Sequence, residues 1–130
     1  MSLPESDLAY LQEREIEHRI VVESNMTCVL IPVWALPPGF NVSSADLLIR
    51  LAAGYPDVPP DCWWFDPAVK LANDEALPAT QVFERYLDRT WQRWSRHFIQ
   101  GQWHSGIDGL ESFLALIRAE LHRSLPEGAR

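Results

Sequence analysis

Ser95 and His97 are the residues of this chain whose types and spacing could supply a nucleophile and its base. A histidine beside a serine lowers the cost of removing the hydroxyl proton, which activates the oxygen for attack on a carbonyl carbon. If residues 90–98 are extended, side chains two apart share a face, so Arg93, Ser95 and His97 point the same way. Arg93 or Arg96 could then stabilise an oxyanion. The alternative is structural: Ser95 and His97 form hydrogen bonds in a tight, tryptophan-lined turn that fixes the next helix.

The other groups with nucleophile or ligand chemistry are less favourably spaced. Cys28 and Cys62 each lie in an apolar, strand-like run, which predicts two reduced thiols buried in the core. His97 and His104 are seven residues apart with Asp108 beyond, a spacing without the close ligand pairs of zinc sites. We therefore expect no metal and no cofactor.

The composition is typical of a soluble globular protein with an acidic balance. Its 130 residues, 47% hydrophobic and 22% charged, predict a single domain over residues 1–130 with a core at about 5–124. No apolar run is long enough to span a membrane and the first ten residues lack a signal peptide's pattern, so we expect a cytoplasmic protein with no membrane contact. The net charge of −7 argues against nucleic-acid binding. The arginines of residues 85–96 could meet an acidic protein partner or form a solvated face.

The elements that position Ser95 are predicted from apolar periodicity. A proline near the first turn, followed by acidic residues, predicts a helix over residues 5–14 with Leu8, Leu11 and Tyr10 on its buried face. Three sequential strands joined by short turns are predicted at residues 18–23, 27–36 and 44–52. Pro32 interrupts the second strand and predicts a bulge or an edge position.

The second half of the chain centres on a proline-rich segment, residues 54–67. Its prolines forbid a helix, so the apolar run 62–65 is predicted to be a short strand between rigid turns. A surface loop is predicted at 68–80, a short helix or turn near 82–88, and an extended stretch at 90–98.

The closing helix has the clearest pattern in the chain. Apolar residues recur at three- and four-residue steps at Ile107, Leu110, Leu114, Ile117 and Leu121. Ser105 and Asp108 predict a capping-box start. Together these elements predict an α+β fold, an antiparallel meander flanked by an N-terminal and a C-terminal helix.

The segment Tyr55-Pro56-Asp57-Val58-Pro59-Pro60, placed just before the strand 62–65, resembles a motif of the ubiquitin-conjugating (UBC) superfamily. The stretches Leu36-Pro37-Pro38-Gly39-Phe40, Trp94-Ser95-Arg96-His97 and Trp103-x-x-Gly106-Ile107-Asp108 resemble a prokaryotic branch of it. The resemblance implies a UBC-like fold and a place in a bacterial ubiquitin-like conjugation pathway. The implied partners are a ubiquitin-like protein and a ThiF-like activating enzyme, with a deconjugating metalloprotease as a neighbour.

Two positions depart from the pattern that the resemblance implies. The family cysteine sits eight residues before a tryptophan that precedes the closing helix, and counting back from Trp103 gives Ser95. The family's His-Pro-Asn tripeptide corresponds to Asp66-Pro67-Ala68, which supplies no side-chain amide.

Three hypotheses follow from these departures. The chain is a component that binds the ubiquitin-like modifier, its activating enzyme or both without cysteine thioester chemistry. Alternatively, Ser95 carries the modifier as an oxyester, with His97 as base and Arg96 or Arg93 at the oxyanion. The third hypothesis is a purely structural partner of a larger complex.

Overall fold

The computed structural model describes residues 3–96 and 102–126, which form two helices and six strands. In chain order they are α1 (Glu5–Glu13), β1 (Arg19–Glu23), β2 (Met26–Ala35), β3 (Ser44–Leu51), β4 (Cys62–Asp66), β5 (Val82–Tyr86), β6 (Arg89–Ser95) and α2 (Leu110–Ser124). All strands pair antiparallel in one sheet of order β1-β2-β3-β4-β6-β5. The α+β class is confirmed, with the six strands following one helix and preceding the other in the chain.

Strands β1 to β4 form within one residue of the predicted ranges 18–23, 27–36, 44–52 and 62–65. Ser24 and Asn25 both have left-handed φ angles, 53° and 63°, and make the two-residue turn between β1 and β2. The bulge predicted at Pro32 is also confirmed, since the β2–β3 register shifts between Ile31 and Trp34.

The main core lies between the sheet and the two helices. The predicted inward residues of β3 are buried against it, namely Ala45, Leu47, Ile49 and Leu51. Apolar side chains of α2 fill the same space, at Leu110, Phe113, Leu114, Ile117 and Leu121. Trp63 and Trp94 stack there with ring centroids 6.0 Å apart. This aromatic layer holds β4 against β6 at the place where β4 begins and β6 ends with Ser95.

The opposite face of the sheet carries a second, smaller core because the sheet is curled. Its buried members are Cys28, Leu30, Leu48, Trp64 and Trp91. Leu48, which breaks the alternation of β3 in the sequence, belongs to this cluster. Glu23 Oε2 of β1 accepts a hydrogen bond from the backbone N–H of Leu87 in the β5–β6 turn, at 3.1 Å. This bond joins the end of β1 to the β5–β6 turn across the curl.

The prediction of a helix or turn at 82–88 is wrong for most of its length. Residues 82–86 form strand β5, and only Leu87 and Asp88 form a turn, with left-handed φ angles of 54° and 60°. Phe83 shares a helical period with Leu87 and Trp91 in the sequence, yet it is 52% exposed at the sheet edge. The period was accidental, and β-favouring residues paired with β6 decide the structure instead.

The start of α2 also differs from the predicted one. The helix begins at Leu110, and Ile107, predicted on its apolar stripe, is 84% exposed. Ser105 and Asp108 make no capping box, because they hydrogen-bond to Asp57 and to the backbone N–H of His104. At α1 the predicted buried Leu8 is exposed.

Instead, Asp7 of α1 is 4% exposed and reaches the first turn of α2. The acceptor for the Leu110 N–H at the start of α2 therefore comes from another helix, a long-range contact that no local pattern encodes.

Candidate functional site

Ser95 is the last residue of β6 and is half-buried at the end of the sheet. Its backbone N–H donates to the carbonyl of Ala79 at 3.2 Å. Across the β4–β6 ladder it pairs with Cys62, whose Sγ donates to Ser95 Oγ at 3.7 Å. The predicted extended stretch is thus confirmed up to Ser95, while His97 and residue 98 lie outside the described residues.

The prediction of two buried core thiols holds for only one of them. Cys28 is fully buried, whereas Cys62 is half-buried beside Ser95. Burial raises the pKa of the Cys62 thiol, and Asp61 raises it further, against the hydrogen bond with Ser95. At neutral pH the thiol form is therefore favoured over the nucleophilic thiolate.

The two predicted oxyanion arginines lie on different sides of the sheet. Arg93 shares the Ser95 face, as the alternation of β6 predicts, and its Nη1 lies 3.4 Å from Glu84 Oε2. Arg96 lies just beyond the strand and turns towards α2, where its Nε is 3.3 Å from Glu120 Oε2. Each guanidinium is already paired with a carboxylate, so its charge is largely compensated.

Ser95 also lines an open cavity of about 550 Å³ between the end of the sheet and the end of α2. The other lining residues are Leu77, Pro78, Ala79, Arg96 and Ser124. The walls are mostly apolar, with the Arg96 guanidinium donating to the Pro78 carbonyl at 3.2 Å. The space suits a short extended peptide or an apolar side chain.

The proline-rich segment is joined to both helices through Asp7. The Tyr55 hydroxyl donates to Asp7 Oδ2 at 2.6 Å, and the backbone N–H of Leu110 donates to Asp7 Oδ1 at 3.0 Å. Burial raises the pKa of the Tyr55 hydroxyl, and the bond to Asp7 raises it further. One buried carboxylate therefore fixes α1, the Tyr55-Pro56 turn and α2 relative to one another.

The segment that precedes α2 is fixed to the same turn. Trp103 Nε1 donates to the carbonyl of Pro56 at 2.8 Å, and the Tyr55 and Trp103 rings lie 6.4 Å apart. Ser105 Oγ donates to the Asp57 carboxylate. Both Tyr55-Pro56 and Asp66-Pro67 are cis peptide bonds. The proline motif thus positions residues 103–105, shortly before α2.

Gln92 positions the loop after β4. Its side chain is buried and bonds both backbone groups of Val69, accepting at 2.8 Å and donating at 3.0 Å. Trp94 Nε1 donates to the same Gln92 oxygen at 2.9 Å. Residues 68–80, predicted as a surface loop, are consequently anchored by buried Val69, Leu77 and Thr80.

A comparison with models of known protein families shows which family this chain belongs to. The model of "Prokaryotic E2 family E" matches residues 3–124, which covers both helices and all six strands. The chain belongs to prokaryotic E2 family E. No curated protein and no solved structure matches it.

Membership of this E2 family supports a role in bacterial ubiquitin-like conjugation, with ubiquitin-like proteins and activating enzymes as the general class of partner. No helix in residues 3–96 or 102–126 is long and apolar enough to cross a membrane. The same residues contain no cluster of three or more histidine, cysteine or acidic side chains that could hold a metal ion. His97 is not among the described residues. His104 and Asp108 contact each other through the His104 backbone N–H, at 2.6 Å.

Two residues that shape this site are not identifiable as such from the sequence. Cys62 was assigned to the core because its run is apolar, although it is the first residue of its strand, where burial is incomplete. Asp7 had no distinguishing pattern, since acidic residues in the first turn of a helix are common. The weak signal available for Asp7 was its position one turn before Leu11, on the buried side of α1.

Proposed function

We propose that this chain is a binding component of a bacterial ubiquitin-like conjugation pathway. It holds the ubiquitin-like modifier, its ThiF-like activating enzyme, or both, without a standard cysteine thioester. The observation that carries the proposal is the E2 family match over residues 3–124, combined with a serine at the position where the resemblance expects the cysteine. A UBC-like surface is then retained around a changed nucleophile position.

The surroundings of Ser95 support a binding role more than a catalytic one. Ser95 Oγ accepts a hydrogen bond from the Cys62 thiol, which occupies one of its two lone pairs. The carboxylates of Glu84 and Glu120 compensate the two arginines that would stabilise an oxyanion. The raised pKa of Cys62 leaves little thiolate to replace the missing nucleophile near neutral pH.

The test uses a ubiquitin-like protein and an activating enzyme from the genome that encodes this chain, each purified. We expect a complex with at least one of them by sedimentation velocity, unchanged in Ser95→Ala and in Cys62→Ala. No complex with either protein would overturn the pathway assignment. An adduct that thiol reductant removes and Cys62→Ala abolishes would instead establish thioester chemistry and overturn the binding-only role.

A second candidate is an oxyester carrier, favoured by the half-exposed position of Ser95 on the open cavity of about 550 Å³. In this reaction Ser95 Oγ attacks the thioester carbonyl of the modifier on its activating enzyme. The new C–O bond replaces the C–S bond, the enzyme's thiolate leaves, and His97 takes the hydroxyl proton. Arg96 would need to leave Glu120 before it could reach the oxyanion.

The oxyester candidate has its own signature. With activating enzyme, modifier and ATP it predicts a mass-shifted adduct that survives reductant and is cleaved by hydroxylamine. Ser95→Ala must abolish the adduct and Cys62→Ala must retain it. Ser95→Cys should convert it to a reductant-sensitive thioester, best tested in the Cys62→Ala background because the two sulfur atoms would otherwise be neighbours. Absence of any adduct removes this candidate and leaves the binding role intact.

A further inference from the structure

Strand β1 is an open edge of the sheet with apolar side chains in solvent. It pairs with β2 on one side, and no strand among residues 3–96 and 102–126 covers the other. Ile20 is 37% exposed and Val22 is 54% exposed. The strand contains no proline and pairs with β2 without a bulge, so it lacks two of the devices that prevent edge-to-edge association.

The register of the hairpin shows which backbone groups face outward. The two-residue turn places Glu23 opposite Met26 as a hydrogen-bonded pair, and the alternation then directs Val21 and Arg19 towards β2. The N–H and C=O groups of Ile20 and Val22 therefore point away from the sheet. The two most exposed apolar residues of the strand are also the ones with unused hydrogen-bonding groups.

The sequence of β1, Arg-Ile-Val-Val-Glu, is complementary to itself in antiparallel orientation. With Val21 on a twofold axis, Ile20 lies opposite the partner's Val22 and Arg19 lies opposite the partner's Glu23. Opposite charges and β-branched pairs directly across strands are both stabilising. No carboxylate of the described residues lies within ion-pair distance of Arg19, whereas Glu23 uses Oε2 for the β5–β6 turn and keeps Oε1 available.

The other edge of the sheet, β5, fits a second copy less well. Its outward backbone groups belong to Phe83 and Arg85, by the same counting from the Leu87-Asp88 turn. The register that pairs these two residues places Glu84 opposite the partner's Glu84. One neighbouring register places Arg85 opposite itself, and the other places Phe83 opposite itself with no oppositely charged residues across the pair. Like charges directly opposite are destabilising, so β1 is the better self-pairing edge.

From these observations we propose that two copies of this chain associate through antiparallel pairing of β1 with β1 of the partner. The two sheets then form one continuous sheet across a twofold axis. Because the contact is isologous, each Arg19–Glu23 pair occurs twice and every favourable or unfavourable change is doubled. The proposal is independent of the role in conjugation.

Charge reversal tests this register directly. Arg19→Glu gives a chain whose β1 is acidic at both ends, and Glu23→Arg gives one that is basic at both ends. Each variant alone should dimerise at least about tenfold more weakly, since two attractive pairs become repulsive. An equimolar mixture should recover the wild-type dimer in sedimentation equilibrium, because the acidic strand faces the basic one.

A matched pair of edge substitutions provides the control. Val22→Lys on β1 and Phe83→Lys on β5 change residues of nearly equal exposure, 54% and 52%. Val22→Lys should dissociate the dimer and Phe83→Lys should leave it intact, with circular dichroism showing both variants folded. A wild-type monomer at high micromolar concentration would overturn the proposal. A mixture that stays monomeric, or a dimer that only Phe83→Lys disrupts, would overturn it equally.

Discussion

Replacing Asp7 with alanine should destabilise the fold far more than a helix-surface substitution usually does. The carboxylate accepts two hydrogen bonds, from the Tyr55 hydroxyl at 2.6 Å and from the Leu110 N–H at 3.0 Å, and is itself 4% exposed. Loss of the acceptor at the start of α2 costs about 1 kcal/mol, the usual value for an N-cap. A hydrogen bond to a charged group contributes about 2 kcal/mol. We therefore expect Asp7→Ala to lower the free energy of unfolding by about 3 kcal/mol.

The assay is urea unfolding followed by tryptophan fluorescence, with the melting temperature as a second readout. A loss of about 3 kcal/mol corresponds to about 10 °C for a domain of this size. Asp57→Ala is the matched control, because Asp57 is exposed and bonds only to Ser105 among the described residues. The control should change stability by no more than about 0.5 kcal/mol. An Asp7→Ala loss as small as the control's would refute Asp7 as the residue that joins the three elements.

Gly109 provides an independent probe of the same contact. A Cβ atom at Gly109 would lie 2.5 Å from Asp7 Oδ1, so Gly109→Ala must displace the carboxylate. Gly109→Ala should therefore destabilise the wild-type chain, typically by about 1–3 kcal/mol for an overpacked site. It should cost much less in the Asp7→Ala background, because the clashing atom is gone. Additive effects of the two substitutions would contradict direct contact between the residues.

Three further predictions follow from the site geometry. Because the pKa of the Tyr55 hydroxyl is raised in the folded state, the unfolded state loses the hydroxyl proton first as pH rises through about 10. The free energy of unfolding should therefore fall above that pH, and Tyr55→Phe should reduce this fall. An unchanged pH dependence in Tyr55→Phe would contradict the assignment. An alkylating reagent should label Cys62 slowly at neutral pH and faster as pH rises, whereas Cys28 should react only on unfolding, as followed by mass spectrometry. Equal labelling rates for the two cysteines would contradict the difference in their burial. Gln92→Leu leaves three buried hydrogen-bonding groups without their partner and should lower the free energy of unfolding in urea by about 3 kcal/mol. The control Gln81→Leu, at an exposed site, should lower it by less than about 0.5 kcal/mol. A similar loss in both variants would contradict the role of Gln92.

The sequence predicted the elements whose pattern is local. The alternation of β3 and the three- and four-residue steps of α2 each bury one face, so the composition of a short window is enough to identify them. The bulge at Pro32 is local in the same sense, because proline cannot donate to the ladder.

The failures share a physical cause, which is that a distant partner decides the outcome. Residues 82–86 are a strand because β6 is beside them, although their aromatic spacing also fits a helix. The start of α2 is set by Asp7, more than a hundred residues away in the chain. No window of sequence contains both partners of either contact.

The candidate site divides in the same way. Strand alternation predicts that Ser95 and Arg93 lie on the same face of β6, and this is correct. The position of Arg96 could not be predicted, because it depends on Glu120 of α2. Cys62 was misassigned since its exposure depends on where the sheet ends. The catalytic roles of Ser95, His97 and Arg96 stay predictions.

The most direct test of the conjugation role combines this chain with an activating enzyme and a ubiquitin-like protein from the same genome and ATP, in wild-type and Ser95→Ala/Cys62→Ala forms. Sizing before and after thiol reductant separates non-covalent complexes from thioesters in one experiment. We expect a complex that is identical for both forms and indifferent to reductant. A covalent species that reductant removes from the wild type and that the double variant never forms would contradict it.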